Sequence, residues 1–217
     1  MKTVLTTATL ISSLAAAGVQ ADVIYANDDF EGEAVGTFST TANSTSFIND
    51  ADNAGNVTIV DDSGDKVISV VGNRNKRFTL ADPMPLVTDN VTSIDIDFSI
   101  WLNEVDSSNV GRILYSASGS FGDQVLIASY TATNGTPDPS SGLLEVATWY
   151  DLSVTINPAD VGGSFTDTAK IRFANDDGGD FNDTVRFDDI TITGVPEPGS
   201  LALLGLGGLL IARRRRG

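Results

Sequence analysis

The sequence predicts an all-β domain, a two-sheet antiparallel β-sandwich of the jelly-roll kind, and three observations carry that expectation. Helical periodicity is almost absent between Asp22 and Gly194. Strict alternation of apolar and polar residues recurs in its place. Clusters of Gly, Asn and Asp break the alternating runs at short intervals, as turns between strands require.

The clearest run puts Ile94, Ile96, Phe98, Ile100 and Leu102 on one face and Asp95, Asp97, Ser99 and Trp101 on the other. A period of two is the signature of a half-buried strand. Residues 149 to 156 alternate in the same way, with Tyr150, Leu152, Val154 and Ile156 on the apolar side. Further strands are expected at 57–60, 67–71, 77–80, 112–117, 125–130, 143–146, 170–174 and 184–192. Between them lie turn clusters such as Asp61-Asp62-Ser63-Gly64-Asp65 and Asn134-Gly135-Thr136-Pro137. About ten short strands without a fixed repeat period describe a sandwich better than a repeat array.

The two ends differ from the middle. Lys2, an apolar stretch from Val4 to Leu14 and the small-residue ending Val19-Gln20-Ala21 have the layout of a secretory signal peptide, with cleavage after Ala21. The other end reads Val195-Pro196-Glu197-Pro198-Gly199-Ser200, then an uncharged run to Ala212, then Arg213, Arg214, Arg215 and Arg216. As a helix, Gly199 to Ala212 reaches about 21 Å, against about 30 Å for a bilayer core. It is a short membrane helix whose arginines hold that end in the cytoplasm and leave the preceding domain on the opposite side. The expected organisation is therefore a signal peptide at 1–21, a β-sandwich ectodomain at 22–194 and a tail at 195–217.

Pro196-Glu197-Pro198, the short Gly/Leu-rich helix and the terminal Arg cluster together resemble the PEP-CTERM sorting tail of Gram-negative bacteria. The resemblance covers about the last two dozen residues. It implies recognition by an exosortase-type membrane protease, transient anchoring in the inner membrane, removal of the tail and passage to the cell surface or an exopolysaccharide matrix. About the chemistry of the domain it implies nothing.

Composition narrows that chemistry. Of 13 Lys and Arg, Lys2 and the four terminal arginines lie in the ends, which leaves 8. Of 29 Asp and Glu only Glu197 lies there, so the ectodomain is near −20. Such a charge repels nucleic acid and favours cations. The chain has no Cys and no His. Disulfides, His-containing triads and the commonest general base and zinc ligand are thereby excluded. Paired carboxylates would still suffice for glycoside hydrolysis, but no acid pair stands out by sequence, and no catalytic residue is assigned.

Two stretches, Asp28-Asp29-Phe30-Glu31-Gly32 and Val185-Arg186-Phe187-Asp188-Asp189-Ile190, resemble extracellular jelly-roll modules of the concanavalin-like and galactose-binding-like kinds. Thr148-Trp149-Tyr150-Asp151-Leu152 looks like the central strand of such modules. In many of them an early Phe-Glu and a late Asp-Asp-hydrophobic pair approach each other and hold a structural Ca²⁺. The resemblance implies Glu31 with Asp188 or Asp189 as ligands, and backbone carbonyls to complete the shell. The residues add their own signal here. The parity of Val185, Phe187, Ile190 and Ile192 slips by one, which predicts a bulge at Asp188-Asp189. The plain alternative is that these acids are solvated strand ends. A second acidic loop, Asn175 to Asp183, reads more simply as a turn.

For sugar binding the expected residue is Trp101, an aromatic ring on the polar face of its strand; Tyr115, Tyr130, Trp149 and Tyr150 are expected in the core. The leading functional expectation is a non-enzymatic exported protein that interacts with exopolysaccharide through a lectin-like sandwich. The alternatives are a secreted carboxylate-dependent glycosidase or lyase, and a purely structural adhesin.

Overall fold

The computed structural model describes residues 21–38, 46–49, 56–72, 76–105, 110–175 and 183–197. Thirteen described strands form two facing sheets. They are β1 (Val23–Asp28), β2 (Gly36–Thr37), β3 (Phe47–Asn49), β4 (Val57–Asp62), β5 (Asp65–Val71), β6 (Lys76–Leu80), β7 (Val91–Leu102), β8 (Val110–Ser116), β9 (Val125–Thr133), β10 (Leu143–Glu145), β11 (Tyr150–Ile156), β12 (Lys170–Asn175) and β13 (Thr184–Pro196). The first sheet runs β11-β7-β13-β5-β4-β2, with β1 also paired to β13; the second runs β10-β9-β8-β12-β6-β3. Consecutive strands often lie in different sheets, as a jelly roll requires. The named pairings are antiparallel apart from β9 with β10, which run parallel.

The alternation seen in the sequence fixes which face each strand buries. Ile94, Ile96, Phe98, Ile100 and Leu102 of β7 are all buried, and their β11 partners Tyr150, Leu152 and Val154 pack against the same core. From the second sheet come Tyr115, Ile171 and Phe173. The middle of the sandwich is a cluster of phenylalanines. Phe78 and Phe173 stack with ring centroids 5.2 Å apart, and Phe47 and Phe187 meet Phe78 edge-on at 5.5 and 5.6 Å. Such pairs add to the burial of the large rings themselves, so a chain without disulfides is held by a dense aromatic centre.

β13 organises the first sheet. Along its first half it pairs with β5, from Thr184 opposite Val71 to Phe187 opposite Ile68. Along its second half it pairs with β1, from Ile190 opposite Asp28 to Gly194 opposite Val23. The register against β7 slips between Asp188 and Thr191, and Asp189 takes the left-handed conformation at φ 48°. The bulge foreseen from the parity slip is present, and it marks the place where β13 exchanges one neighbour for the other.

Sequence patterning missed β1, β2 and β3. β2 and β3 have two and three residues, too few for a period to register. β1, Val-Ile-Tyr-Ala-Asn-Asp, buries only Ala26 fully and leaves Ile24 mostly exposed. Its pattern is that of an edge strand, not of a core strand.

Among the described residues, no helix is long and apolar enough to cross a membrane. The expected short helix at Gly199 to Ala212 lies outside the described residues, as do residues 1–20 of the expected signal peptide, Pro198, Arg213 to Arg216 and most of the Asn175 to Asp183 loop.

Candidate functional sites on the first sheet

Where β1 ends and β5 begins, both beside the bulge of β13, acidic side chains gather. Asp188 is on the outward side, opposite Ser99 of β7, yet it is only 5% exposed. Its Oδ1 is fully buried and accepts no hydrogen bond. Burial, with the charges of Asp189, Asp65 and Asp29 adding to it, pushes its carboxyl up to about 7. Asp188 is thus no solvated strand end.

Glu31 is exposed in the loop after β1 and staples that loop to β5. Its Oε1 accepts the Lys66 N–H at 2.7 Å, and the Lys66 ammonium donates to the Glu31 carbonyl at 2.7 Å. Asp65 shares a side-chain hydrogen bond with Glu31, which pushes the Asp65 carboxyl upward, and the charges of Glu31 and Asp189 act in the same direction. Asp65 therefore connects the two expected halves of the site, Glu31 on one side and the Asp188-Asp189 pair on the other. The sequence concealed it inside a run that any tight turn would use.

The donor set suits a hard cation in its chemistry. It offers carboxylates, one of them with a buried orphan oxygen, at a junction where three strands begin, end or bulge. Among the described residues no three carboxylates converge at the spacing that would hold a metal by side chains alone.

The second feature lies on the same outward face. Trp101 of β7 is half-buried, and the Arg186 guanidinium lies 4.4 Å from its ring centroid. Arg186 also donates to Asp62 Oδ2 at 2.9 Å. The Trp149 indole N–H donates to that same oxygen at 3.3 Å. Two tryptophans, an arginine and an aspartate are so linked across four strands or their ends. Next to them runs a shallow groove lined by Asp97, Phe98, Ser99, Asp151, Leu152, Ser153 and Asp189. The Ser99 hydroxyl donates to Asp151 at 2.7 Å, fixing one wall. Rings that stack on sugar faces beside hydroxyls and carboxylates that bond sugar hydroxyls are the components of a saccharide-binding surface.

Trp149 was expected in the core and is not there. Tyr115 and Tyr130 are buried as expected, while Trp149 stands on the opposite side of its run from Tyr150. The parity of residues 149 to 156 already carried that information.

The tail motif begins inside the fold. Pro196, the last residue of β13, is buried and Glu197 is exposed.

Residues 194–216 match the family model of the PEP-CTERM protein-sorting motif. No curated protein matches the sequence. Among solved structures, the chain is similar to the N-terminal CBM22-1–CBM22-2 tandem domain of Xyn10C from Paenibacillus barcinonensis, at 11% identity and a TM-score of 0.50, over 82% of this chain and 47% of that one. It is also similar to the K3 cleaved adhesin domain of Lys-gingipain from Porphyromonas gingivalis w83 (17% identity, TM-score 0.49, 80% and 99% covered). The xylan-binding module CBM15 is a third (15%, 0.45, 82% and 99%). At these identities the likeness is one of fold.

Proposed function

We propose that the protein is a non-catalytic glycan-interacting module, exported and sorted to the bacterial surface, whose outer face on the first sheet contacts exopolysaccharide. The observation that carries the reading is the linked set Trp101, Arg186, Asp62 and Trp149 beside the groove. A lone surface tryptophan is common. A tryptophan held by a stacked guanidinium, which is itself held by a carboxylate that also anchors a second indole, is a pre-ordered surface. Preorganisation lowers the entropic cost of binding a flexible chain of sugars. The sorting motif supports delivery by an exosortase-type protease, with the tail anchoring the chain transiently in the inner membrane.

Within this reading a Ca²⁺ ion sits at the bulge, held by Asp188 and Asp189 with Glu31 on its margin and backbone carbonyls completing its shell. Its part is structural, joining β1, β5 and β13 where their hydrogen-bond ladders part. Binding on a glycan array and to the producing bacterium's own exopolysaccharide, with and without Ca²⁺, tests the proposal. Trp101→Ala is expected to weaken glycan binding about ten-fold or more, the scale of one lost stacking contact, with the fold retained. A wild-type protein that binds no glycan under either condition refutes it and leaves the structural adhesin.

A further inference from the structure

β13 does not stop at the rim of the sandwich but carries the sorting motif with it. Pro196 pairs with Val91 of β7 after a register shift between Val195 and Pro196. The Glu197 N–H donates to the Asn90 carbonyl at 3.1 Å, and the Thr92 hydroxyl donates to the Val195 carbonyl at 3.0 Å. On the other side of the strand Gly194 pairs with Val23 of β1. The packing there is close: a Cβ on Gly194 would lie 2.7 Å from the Tyr25 ring and 2.8 Å from Val91. The first residue of Pro196-Glu197-Pro198 therefore belongs to the folded sheet, and the second is hydrogen-bonded to its rim.

We infer that the folded domain masks its own sorting motif, and that the end of β13 must fray from β7 before a processing protease can engage it. The inference rests on the sorting reading above. A protease takes its substrate as an extended segment and bonds to its main chain, much as a sheet takes an added strand. At residues 195–197 the Val195 carbonyl and the Glu197 N–H are already committed to Thr92 and Asn90. Fraying has a natural limit at Gly194, which β1 and β7 grip from both sides. The required opening is thus local, three residues long, and the cutting rate follows the population of the frayed state. The pairing of Val23 with Gly194 also places the mature amino terminus next to the motif. Both ends of the domain leave the sheet side by side, and an uncut, folded domain is tethered at a single spot.

The test compares full-length chains in a host that carries the processing protease. One is wild type, one has a flexible Gly/Ser spacer inserted between Val195 and Pro196, and one carries Thr92→Val. Pulse-chase electrophoresis follows loss of the tail. The spacer is expected to speed removal about ten-fold or more, the gain from releasing two or three hydrogen bonds. Thr92→Val, which keeps the shape of the side chain and deletes one of those bonds, is expected to give an intermediate rate. Equal rates in all three chains overturn the inference and leave the sorting reading standing. A tail retained in all three overturns both. Hydrogen exchange on the uncut full-length chain in detergent supplies a readout independent of the protease. The Glu197 amide is expected to exchange on the order of a hundred-fold more slowly than in a free peptide, and exchange at the free-peptide rate sinks the mask.

Discussion

Asp188→Asn separates a metal-bound bulge from an empty one, because the two cases predict opposite signs. In chelator, the wild-type carboxyl titrates near 7 in the folded state against 3.8 in its ordinary state, about three units, or about 4 kcal/mol at most. A raised carboxyl favours folding while it is protonated. Its contribution is therefore fully present below about pH 4 and is lost as pH rises through about 7. At pH 8 the chelated wild type bears the whole penalty of a buried charge, which Asn avoids. Relaxation and water near the carboxyl reduce the gain to roughly 2–4 kcal/mol, which is about 5–15 °C in melting temperature for a domain of this size. At pH 5, about one unit above the ordinary carboxylate value, the difference falls to about a third, on the order of 1 kcal/mol, and it vanishes only below about pH 4. With Ca²⁺ present the order reverses: the wild type gains stability by mass action, and the variant, short of one anionic ligand, gains little. Differential scanning calorimetry of both proteins at pH 5 and 8, with chelator and with Ca²⁺, measures all eight conditions. Taking the difference between the two proteins cancels the general self-repulsion of the acidic surface. If the chelated variant is no more stable than wild type at pH 8, Asp188 is not the strained group that its burial implies. If Ca²⁺ stabilises neither protein, the metal leaves the account.

Three further perturbations examine the parts around that junction. Asp62→Ala removes the partner of both Arg186 and the Trp149 indole; the Arg186 and Asp62 side chains are about a quarter exposed, so the expected cost is about 1–2 kcal/mol, with a shift in tryptophan fluorescence and weakened glycan binding. An unchanged emission spectrum would show that Asp62 does not hold Trp149. Phe78→Ala empties the centre of the aromatic cluster and is expected to cost about 3–5 kcal/mol by denaturant unfolding, and a loss below 1 kcal/mol would mean that the phenylalanine cluster does not hold the sandwich. Gly142→Ala forces alanine into a left-handed backbone at φ 79° and drives a Cβ into the Ser129 carbonyl oxygen. It is expected to detach β10 from β9 and to raise hydrogen exchange at the Thr131 amide, which bonds to the Gly142 carbonyl; unchanged protection there would refute the tight fit.

How legible the fold was depended on how each strand is buried. β7 and β11 have one dry and one wet face, so their alternation announced them and even told which face carried Trp101. β5 and β12 were found as apolar runs, since consecutive residues along each are buried on both faces. β1 was invisible because an edge strand with one buried residue leaves almost no pattern. The same logic explains Trp149. Its size suggested the core, while the parity of its strand said the opposite, and parity was the better guide because a two-residue period leaves a strand no freedom over which side it presents.

The acidic junction was legible in a different way. No single carboxylate in a domain near −20 is informative, and Asp65 could not be picked out from a turn rich in aspartates. What the sequence did expose was a break in register, Phe187 to Ile190, at two adjacent acids. A parity slip has a structural cost, the left-handed backbone of Asp189, and β13 accepts that cost where it must pair with β5 on one side of the slip and β1 on the other. The strands on either side diverge there, and the side chain at the centre, Asp188, is covered before it can reach water. A buried carboxylate with an orphan oxygen follows from the topology, and the topology follows from the slip. Irregularity in an otherwise regular pattern was for this reason a better pointer to the candidate site than the density of acidic residues around it.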